Sequence, residues 1–232
     1  IKYSSTRGGE YSLSYEDVLL SGLARDGGLF MPEEWPEFSH SDLNKMKYLN
    51  YAELSTKIIK PFVEPCLSEN QLLKICKDTY SVFNKDVAPL YKLDKNLHIL
   101  ELFHGPTLAF KDYAMQFLSR AFNQALLNRD QRGVILGATS GDTGSAALEA
   151  FKGKRNIDIF ILFPHQRVSD VQQKQMTWIN EKGAYALSVK TDFDGCQAIV
   201  KDCFEKLKFK DEISLSAINS INWVRLLPQI VY

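Results

Sequence analysis

A glycine-rich segment in the middle of the chain carries residues suited to binding an anion. Residues 137–144 read GATSGDTG, and they lie between a short apolar run and a helix-forming segment. A loop that joins a strand to a helix in this way presents backbone N–H groups at the positive end of the helix dipole. The hydroxyl groups of Thr139, Ser140 and Thr143 add further donors. The segment alone leaves two interpretations open: a phosphate or carboxylate site, or a tight turn in which Asp142 or Thr143 caps the helix.

The amino-acid sequence of this loop excludes three other motifs. No Gly-Lys-Ser/Thr follows, so it is not a Walker A loop, and the glycines do not follow the G-x-G-x-x-G pattern of dinucleotide sites. Ser140 does not stand in a G-x-S-x-G sequence, so a nucleophile elbow is not supported either.

A lysine upstream of this loop has surroundings that could make its amino group reactive. Lys111 lies among Leu108, Ala109, Phe110 and Tyr113, just after a Gly-Pro turn and near the start of a predicted helix. An apolar setting disfavours the ammonium form, and the free amine is the form that makes a Schiff base. The alternative is an ordinary solvated helical lysine, since lysine is rarely buried. Nearby His104 is predicted to be a structural hydrogen-bonding residue.

Apolar runs and helical patterns alternate from about residue 97 onward. This order predicts βαβ units and a parallel, doubly wound α/β sheet, and continuous apolarity fits strands buried on both faces. The predicted strands are residues 97–102, 134–138, 157–163, 184–189 and 213–218, and the predicted helices are residues 107–128, 143–152, 170–182 and 194–208.

The first ninety residues are predicted to be mostly helical. Ser14 with Asp17 and Ser68 with Gln71 have capping-box spacing, and a helix over 51–59 is expected to end before Pro61. We therefore expect a helical domain over residues 1–90 and an α/β region over 91–232. The chain stops inside an apolar helical run, so we expect the α/β region to be incomplete and the chain to be the N-terminal piece of a longer protein.

Composition narrows the classes of partner. Lys and Arg number 28 and so do Asp and Glu, with no basic run, which gives no reason to expect nucleic acid or a membrane surface. No apolar stretch approaches the ~20 residues of a membrane span. The four cysteines and four histidines match no metal or redox pattern, so we expect no metal, free thiols and a cytoplasmic protein.

Four segments in the expected order resemble the threonine synthase family. That family consists of enzymes that depend on pyridoxal 5'-phosphate (PLP) and have fold type II, the tryptophan synthase β-like fold. The matching segments are FHGPTLAFKD at 103–112, TSGDTG at 139–144, SSTR at 4–7 with GLARDGGLFMP at 22–32, and NSINWVR at 219–225. Related PLP enzymes with S-G-N-T-G have Asn where Asp142 stands, so this spelling argues against cysteine synthase and serine dehydratase.

The resemblance implies roles for individual residues. Lys111 would be the catalytic residue and would carry PLP on its amino group. Phe110, Asp112 and Asn222 would join it as cofactor-binding residues. The implied substrate-binding residues are Thr139, Ser140, Gly141, Asp142, Thr143, Asn219, Ser220 and Arg225. In the family, the loop that holds the PLP phosphate lies beyond the position of Tyr232.

The implied reaction converts O-phospho-L-homoserine and water to L-threonine and phosphate, the last step of threonine biosynthesis. The enzyme class is that of a carbon–oxygen lyase acting on a phosphate, with a small molecule as substrate and an oligomeric state that the sequence does not give. Three alternatives remain open. They are a threonine synthase-like phospho-lyase that releases a 2-oxo acid, a catalytically incomplete anion-binding fragment, and a phosphate-binding module unrelated to PLP.

Overall fold

The computed structural model describes residues 1–84, 86–217 and 222–232, which form two compact units. The first unit contains residues 1–105 and the final segment from 222 onward, and the second unit contains residues 106–217. In chain order the elements are β1 (Tyr3–Ser5), α1 (Tyr15–Ser21), β2 (Phe30–Pro32), α2 (His40–Met46), α3 (Tyr51–Val63), α4 (Glu69–Tyr80), β3 (Leu90–Asp94), β4 (Leu97–Leu100), α5 (Lys111–Asn128), β5 (Gly133–Ala138), α6 (Asp142–Phe151), β6 (Ile157–Pro164), α7 (Asp170–Thr177), β7 (Ala184–Val189), α8 (Phe193–Glu205), α9 (Leu207–Glu212), β8 (Leu215–Ala217), α10 (Trp223–Leu226) and a 3-10 helix (Leu227–Ile230).

Helices α1 to α4 of the first unit each begin with a complete capping box. The boxes predicted at Ser14 and Ser68 are confirmed. The predicted end before Pro61 is wrong, because α3 continues through this proline to Val63. The reason is burial: Phe62 and Val63 lie in the core, and their packing offsets the backbone hydrogen bond that proline removes.

The second unit is built on a four-stranded parallel sheet with the order β7-β6-β5-β8. The chain steps from β5 to β6 to β7 in one direction and then returns past β5 to form β8. Because crossovers between parallel strands are right-handed, this reversal puts α8 on the face opposite α6. The predicted α/β class with a doubly wound parallel sheet is therefore confirmed.

The strand order also predicts where a ligand would bind in the second unit. β5 and β8 are neighbours, although the chain leaves β5 toward β6 on one side and reaches β8 on the other side only after β7. In open α/β sheets, ligands bind beyond the carboxyl ends of the strands at such a switch point. The glycine-rich loop of residues 139–141 follows β5 at this point, whereas residues 218–221, which follow β8, lie outside the described residues.

Several predicted boundaries differ from the structure. The strand predicted over 97–102 is β4, which pairs antiparallel with β3 in the first unit and does not join the parallel sheet. The division between units therefore falls after residue 105 instead of near residue 90, and the final segment belongs to the first unit. The helix predicted over 170–182 ends at Thr177, because no residue after Met176 is buried against the core before Gly183. Within the described residues, no helix is long and apolar enough to cross a bilayer.

Candidate active site

The structure brings together the two segments that the sequence singles out in the second unit. Lys111 is the first residue of α5 and Asp142 is the first residue of α6, and Lys111 Nζ lies 2.8 Å from Asp142 Oδ2. The ammonium group also lies 4.5 Å from the centroid of the Phe110 ring. Only 18% of the Lys111 side chain is exposed. This lysine is therefore not an ordinary solvated residue of a helix surface.

A buried carboxylate holds the turn that leads into Lys111. Asp112 Oδ2 accepts a hydrogen bond from Thr107 N at 2.8 Å, and Oδ1 accepts one from Thr107 Oγ1 at 2.7 Å. Gln175 Nε2 of α7 donates to the carbonyl of Thr107 at 3.3 Å. Burial raises the pKa of Asp112, and the bonds from Thr107 oppose this shift. These contacts make Asp112 a residue that positions the turn.

The side chain of Thr139 stabilises the glycine-rich loop through hydrogen bonds to the loop backbone. Its hydroxyl donates to Gly141 O at 3.0 Å and accepts from Gly141 N at 3.1 Å and from Gly144 N at 3.0 Å. A threonine hydroxyl has one donor and two acceptor sites, so this side chain is fully used. Thr139 is also buried. It shapes the loop and has no hydrogen-bonding capacity left for a ligand.

The N-terminus of α6 presents unused donors beside Lys111. The helix begins after Gly141 without a side-chain cap, and within the described residues the N–H groups of Asp142 and Thr143 donate to no acceptor. Ser140 precedes this helix end and is exposed, and Thr143 lies in its first turn and is half-buried. The helix dipole adds a positive partial charge there. The arrangement suits a carboxylate or phosphate group.

Two glycines keep this helix end in place. A Cβ on Gly144 would lie 2.8 Å from Met176 Sδ and 3.0 Å from Ile161 Cγ2. At Gly141 a Cβ would lie 2.7 Å from Gln172 Oε1 of α7. Because a Cβ cannot approach other atoms so closely, an alanine at 144 would push α6 from its place, whereas at 141 the end of the flexible Gln172 side chain would have to move away.

The remaining predicted residues lie in the first unit or outside the described residues. Asn222 and Arg225 belong to the first unit, where both are buried. The Asn222 side chain accepts from Val224 N at 2.9 Å and caps α10. Asn219 and Ser220 lie outside the described residues. Within the described residues, no group of three His, Cys, Asp or Glu side chains could hold a metal ion.

Sequence reasoning missed the residues that support the loop and the turn. Thr107 reaches Asp112 over five positions, a spacing that matches no capping box. Gln172 is recognisable as a residue that interacts with the Ser169 cap of α7, but its contact with Gly141 depends on the packing of α7 against α6. Neither role has a signal in the sequence.

Comparison with known proteins places the whole chain in one family. A family model for the threonine synthase N terminus matches residues 2–80. A threonine synthase of Pseudomonas aeruginosa is 48% identical over 233 residues, which cover 100% of this chain and 50% of that protein. The chain thus spans about half the length of the curated relatives it matches.

Solved structures give the same result. A PLP-bound threonine synthase from Brucella melitensis has a TM-score of 0.96 and 49% identity, with 100% of this chain and 50% of that chain covered. The threonine synthase from yeast has a TM-score of 0.93 and 39% identity, with 99% and 48% covered. Over its whole length, the chain therefore belongs to the threonine synthase family, of which it represents the N-terminal half.

Proposed function

We propose that this chain supplies the reactive lysine and the anion-binding loop of a PLP-dependent threonine synthase of fold type II. The reaction would convert O-phospho-L-homoserine and water to L-threonine and phosphate. The observation that carries the proposal is the 2.8 Å pair between Lys111 Nζ and Asp142 Oδ2 at the carboxyl end of β5. The PLP bound to the Brucella melitensis relative supports the choice of cofactor.

The chemistry of the donor set fits PLP. Lys111 offers a primary amine that is mostly shielded from water, and amines of this kind bond to the aldehyde carbon of PLP. Phe110 lies beside that amine and offers an apolar ring, and α6 offers N–H donors for an anion. When bound, PLP supplies the electron withdrawal that stabilises negative charge on the carbon atoms of an amino-acid substrate.

Lys111 is proposed to hold and move protons at Nζ. A free amine at this position can take a proton from a carbon acid and return it, which is general base and general acid catalysis. Asp142 accepts a hydrogen bond from Nζ and so orients the amine. Its negative charge at an anion-binding helix end is offset by this pair with Lys111.

The loop is proposed to bind the α-carboxylate of the substrate. The N–H groups of Asp142 and Thr143 with the hydroxyl groups of Ser140 and Thr143 would donate to it, while Gly141 and Thr139 hold the loop in shape. This makes Thr139 a positioning residue instead of a direct ligand.

The resemblance to the family supports the predicted roles of four further residues and the predicted cell compartment. Asn219 and Ser220 would bind substrate, and their position in the sequence shortly after β8 supports this. Asn222 would contact the cofactor and Arg225 the substrate. A cytoplasmic location is supported by the four cysteines, which are all free thiols.

Trapping PLP on the protein tests this assignment. The protein is mixed with PLP, reduced with borohydride and digested, and the labelled peptide is identified by mass spectrometry. We expect the label on Lys111 and its loss in Lys111→Ala. The matched control is Lys152→Ala, which removes another lysine paired with a carboxylate, at 2.7 Å from Glu149, and should keep the label. A label distributed over several lysines, or retained in Lys111→Ala, would refute the role of Lys111.

Product analysis of the complete protein separates the proposed reaction from its alternatives. Threonine and phosphate in equal amounts would support threonine synthase, whereas a 2-oxo acid with phosphate would identify a phospho-lyase. Binding of phosphate without label on Lys111 would favour a phosphate-binding module unrelated to PLP.

A further inference from the structure

Helix α7 packs on the candidate site with two amide side chains. Gln172, Gln175 and Met176 are three and four positions apart, so they lie on one side of the helix. Met176 is buried, and the two glutamines are half-buried. The packing face of a surface helix is normally apolar. Two glutamines on this face therefore need an explanation other than packing.

The two glutamines contact different parts of the site. The end of the Gln172 side chain lies against Gly141, where a Cβ would come within 2.7 Å of Gln172 Oε1. Gln175 Nε2 donates to the carbonyl of Thr107 at 3.3 Å, a residue 68 positions earlier in the chain. Helix α7 thus touches both the glycine-rich loop and the turn that leads to Lys111.

Thr107 uses its backbone and its side chain to fix this turn. Its N–H and its hydroxyl group donate to the carboxylate of Asp112 at 2.8 and 2.7 Å, and its carbonyl accepts from Gln175. The bonds to Asp112 are local, because both residues belong to the same turn and the start of α5. The bond from Gln175 comes from another helix, so it fixes where the turn lies relative to α7.

This contact requires a hydrogen-bond donor at position 175. A backbone carbonyl only accepts, so the carboxamide of Gln175 must present its NH2 group to Thr107. A methionine of similar length would leave the carbonyl without this donor. A glutamate would place a carboxylate oxygen against the carbonyl oxygen, and two acceptors cannot bond to each other.

We propose that Gln175 is a positioning residue for Lys111. By fixing the carbonyl of Thr107, it sets where α5 begins and hence where Lys111 Nζ meets Asp142 Oδ2 at 2.8 Å. Misplacing a reacting group by about 1 Å can cost roughly 100-fold in rate. The inference rests on the proposed function, since it gives Gln175 a part in the reaction of Lys111.

Hydrogen exchange of the protein without PLP tests the contact independently of the reaction. Gln175→Met keeps the length of the side chain and removes the donor. Loss of one hydrogen bond should make the amides of Thr107 and Asp112 exchange about two- to tenfold faster. Gln173→Met is the matched control, because Gln173 is also half-buried but lies two positions away, about 200° around the helix. It should leave these exchange rates unchanged.

Steady-state kinetics of the complete protein, with rates expressed per bound PLP, test whether the contact positions the lysine. Gln175→Met should lower kcat about tenfold or more and change KM by less than about twofold, because the loop proposed to bind the substrate carboxylate lies against Gln172 instead. Gln175→Glu keeps a polar side chain and also lacks the donor, so it should have the same effect and serves if the methionine variant does not fold. Gln173→Met should keep the wild-type kcat.

Three results would overturn the inference. They are wild-type exchange at Thr107 in both Gln175 variants, faster exchange with an unchanged kcat, and an equal loss of kcat in Gln173→Met. The second would make the bond merely structural, and the third would assign the effect to α7 as a whole. Failure of the proposed function looks different, because PLP would then not label Lys111 in the wild type, whereas the faster exchange in Gln175→Met would persist.

Discussion

Replacing Gly144 by alanine tests whether α6 must pack as closely on the sheet as the structure places it. The new Cβ would lie 2.8 Å from Met176 Sδ and 3.0 Å from Ile161 Cγ2, and it would also meet the methyl group of Thr139. Favourable carbon contacts lie at about 3.5–4.0 Å, so the helix or its neighbours must move by roughly 0.5–1 Å.

The expected cost follows from two opposing terms. Overpacking of a buried site costs about 1–3 kcal/mol, while alanine in a helix is favoured over glycine by up to about 1 kcal/mol. We therefore expect Gly144→Ala to lower the free energy of unfolding by about 1–2 kcal/mol. Because Gly144 N also donates to Thr139 Oγ1, the same shift should disturb the loop and reduce PLP labelling of Lys111.

Urea unfolding followed by circular dichroism measures the stability term, and borohydride trapping measures the effect on Lys111. Gly133→Ala is the matched control, because its Cβ would lie 3.3 Å or more from the ends of Leu126 and Phe122, side chains that can move. It should cost less than Gly144→Ala and leave the labelling unchanged. Equal stability of the Gly144→Ala protein and the wild type would refute the close packing of α6.

Three further substitutions test individual contacts of the site. Asp142→Asn removes the carboxylate that pairs with Lys111, a contact worth up to about 1 kcal/mol, so the free energy of unfolding measured in urea should fall by no more than about 1 kcal/mol; Glu149→Gln, which breaks another lysine pair, should have an effect of similar size, and a loss of several kcal/mol in Asp142→Asn alone would contradict the argument. Burial raises the pKa of Asp112. The stability that Asp112 contributes is therefore present below the unfolded pKa of about 3.9 and is lost as the pH rises through the folded pKa. In urea titrations from pH 3 upward, the free energy of unfolding of wild type relative to Asp112→Asn should decrease with pH, and an increase would show the opposite shift. Thr139→Val leaves the buried Gly141 N–H without its partner, while Gly144 N and Gly141 O keep their 3.1 Å bond to each other, so it should cost about 1–3 kcal/mol in thermal or urea unfolding, whereas Thr139→Ser should recover most of it; equal losses in the two variants would contradict the role of the hydroxyl group.

The strands of the parallel sheet are the elements that the sequence predicts best. Continuous apolar runs gave 157–163 and 184–189, against Ile157–Pro164 and Ala184–Val189 in the structure. β6 is buried along most of its length, whereas β7 lies at the edge of the sheet and only its Ala184 is buried, so the apolar run marks a strand without requiring burial on both faces. The run at 97–102 has the same appearance, but its partner is β3 across the Lys95-Asn96 turn. An apolar run does not specify which strand it pairs with, and this turn lacks the glycine that usually marks a hairpin.

The lysine and the loop were recognised from their residues, but their contact was not predictable from spacing. Lys111 and Asp142 are 31 positions apart and come together because α5 and α6 pack side by side and both begin at the same end of the sheet. The bond from Gln175 to the carbonyl of Thr107 likewise depends on where α7 packs. Tertiary contacts between helices therefore decide the fine structure of the site.

Two locally unfavourable features adjoin Lys111 and support its functional role. A positive charge on the first residue of α5 opposes the helix dipole, and Leu108, with φ of 61°, has a left-handed backbone and a side chain that is 70% exposed. Such a conformation costs about 1–2 kcal/mol for a residue other than glycine. The ion pair with Asp142 offsets the unfavourable charge at the start of α5. The hydrogen bond between Thr107 and Asp112 holds the turn in which Leu108 has its left-handed backbone. A sequence selected for stability alone would avoid both features, and strain that neighbouring contacts sustain is concentrated at functional sites.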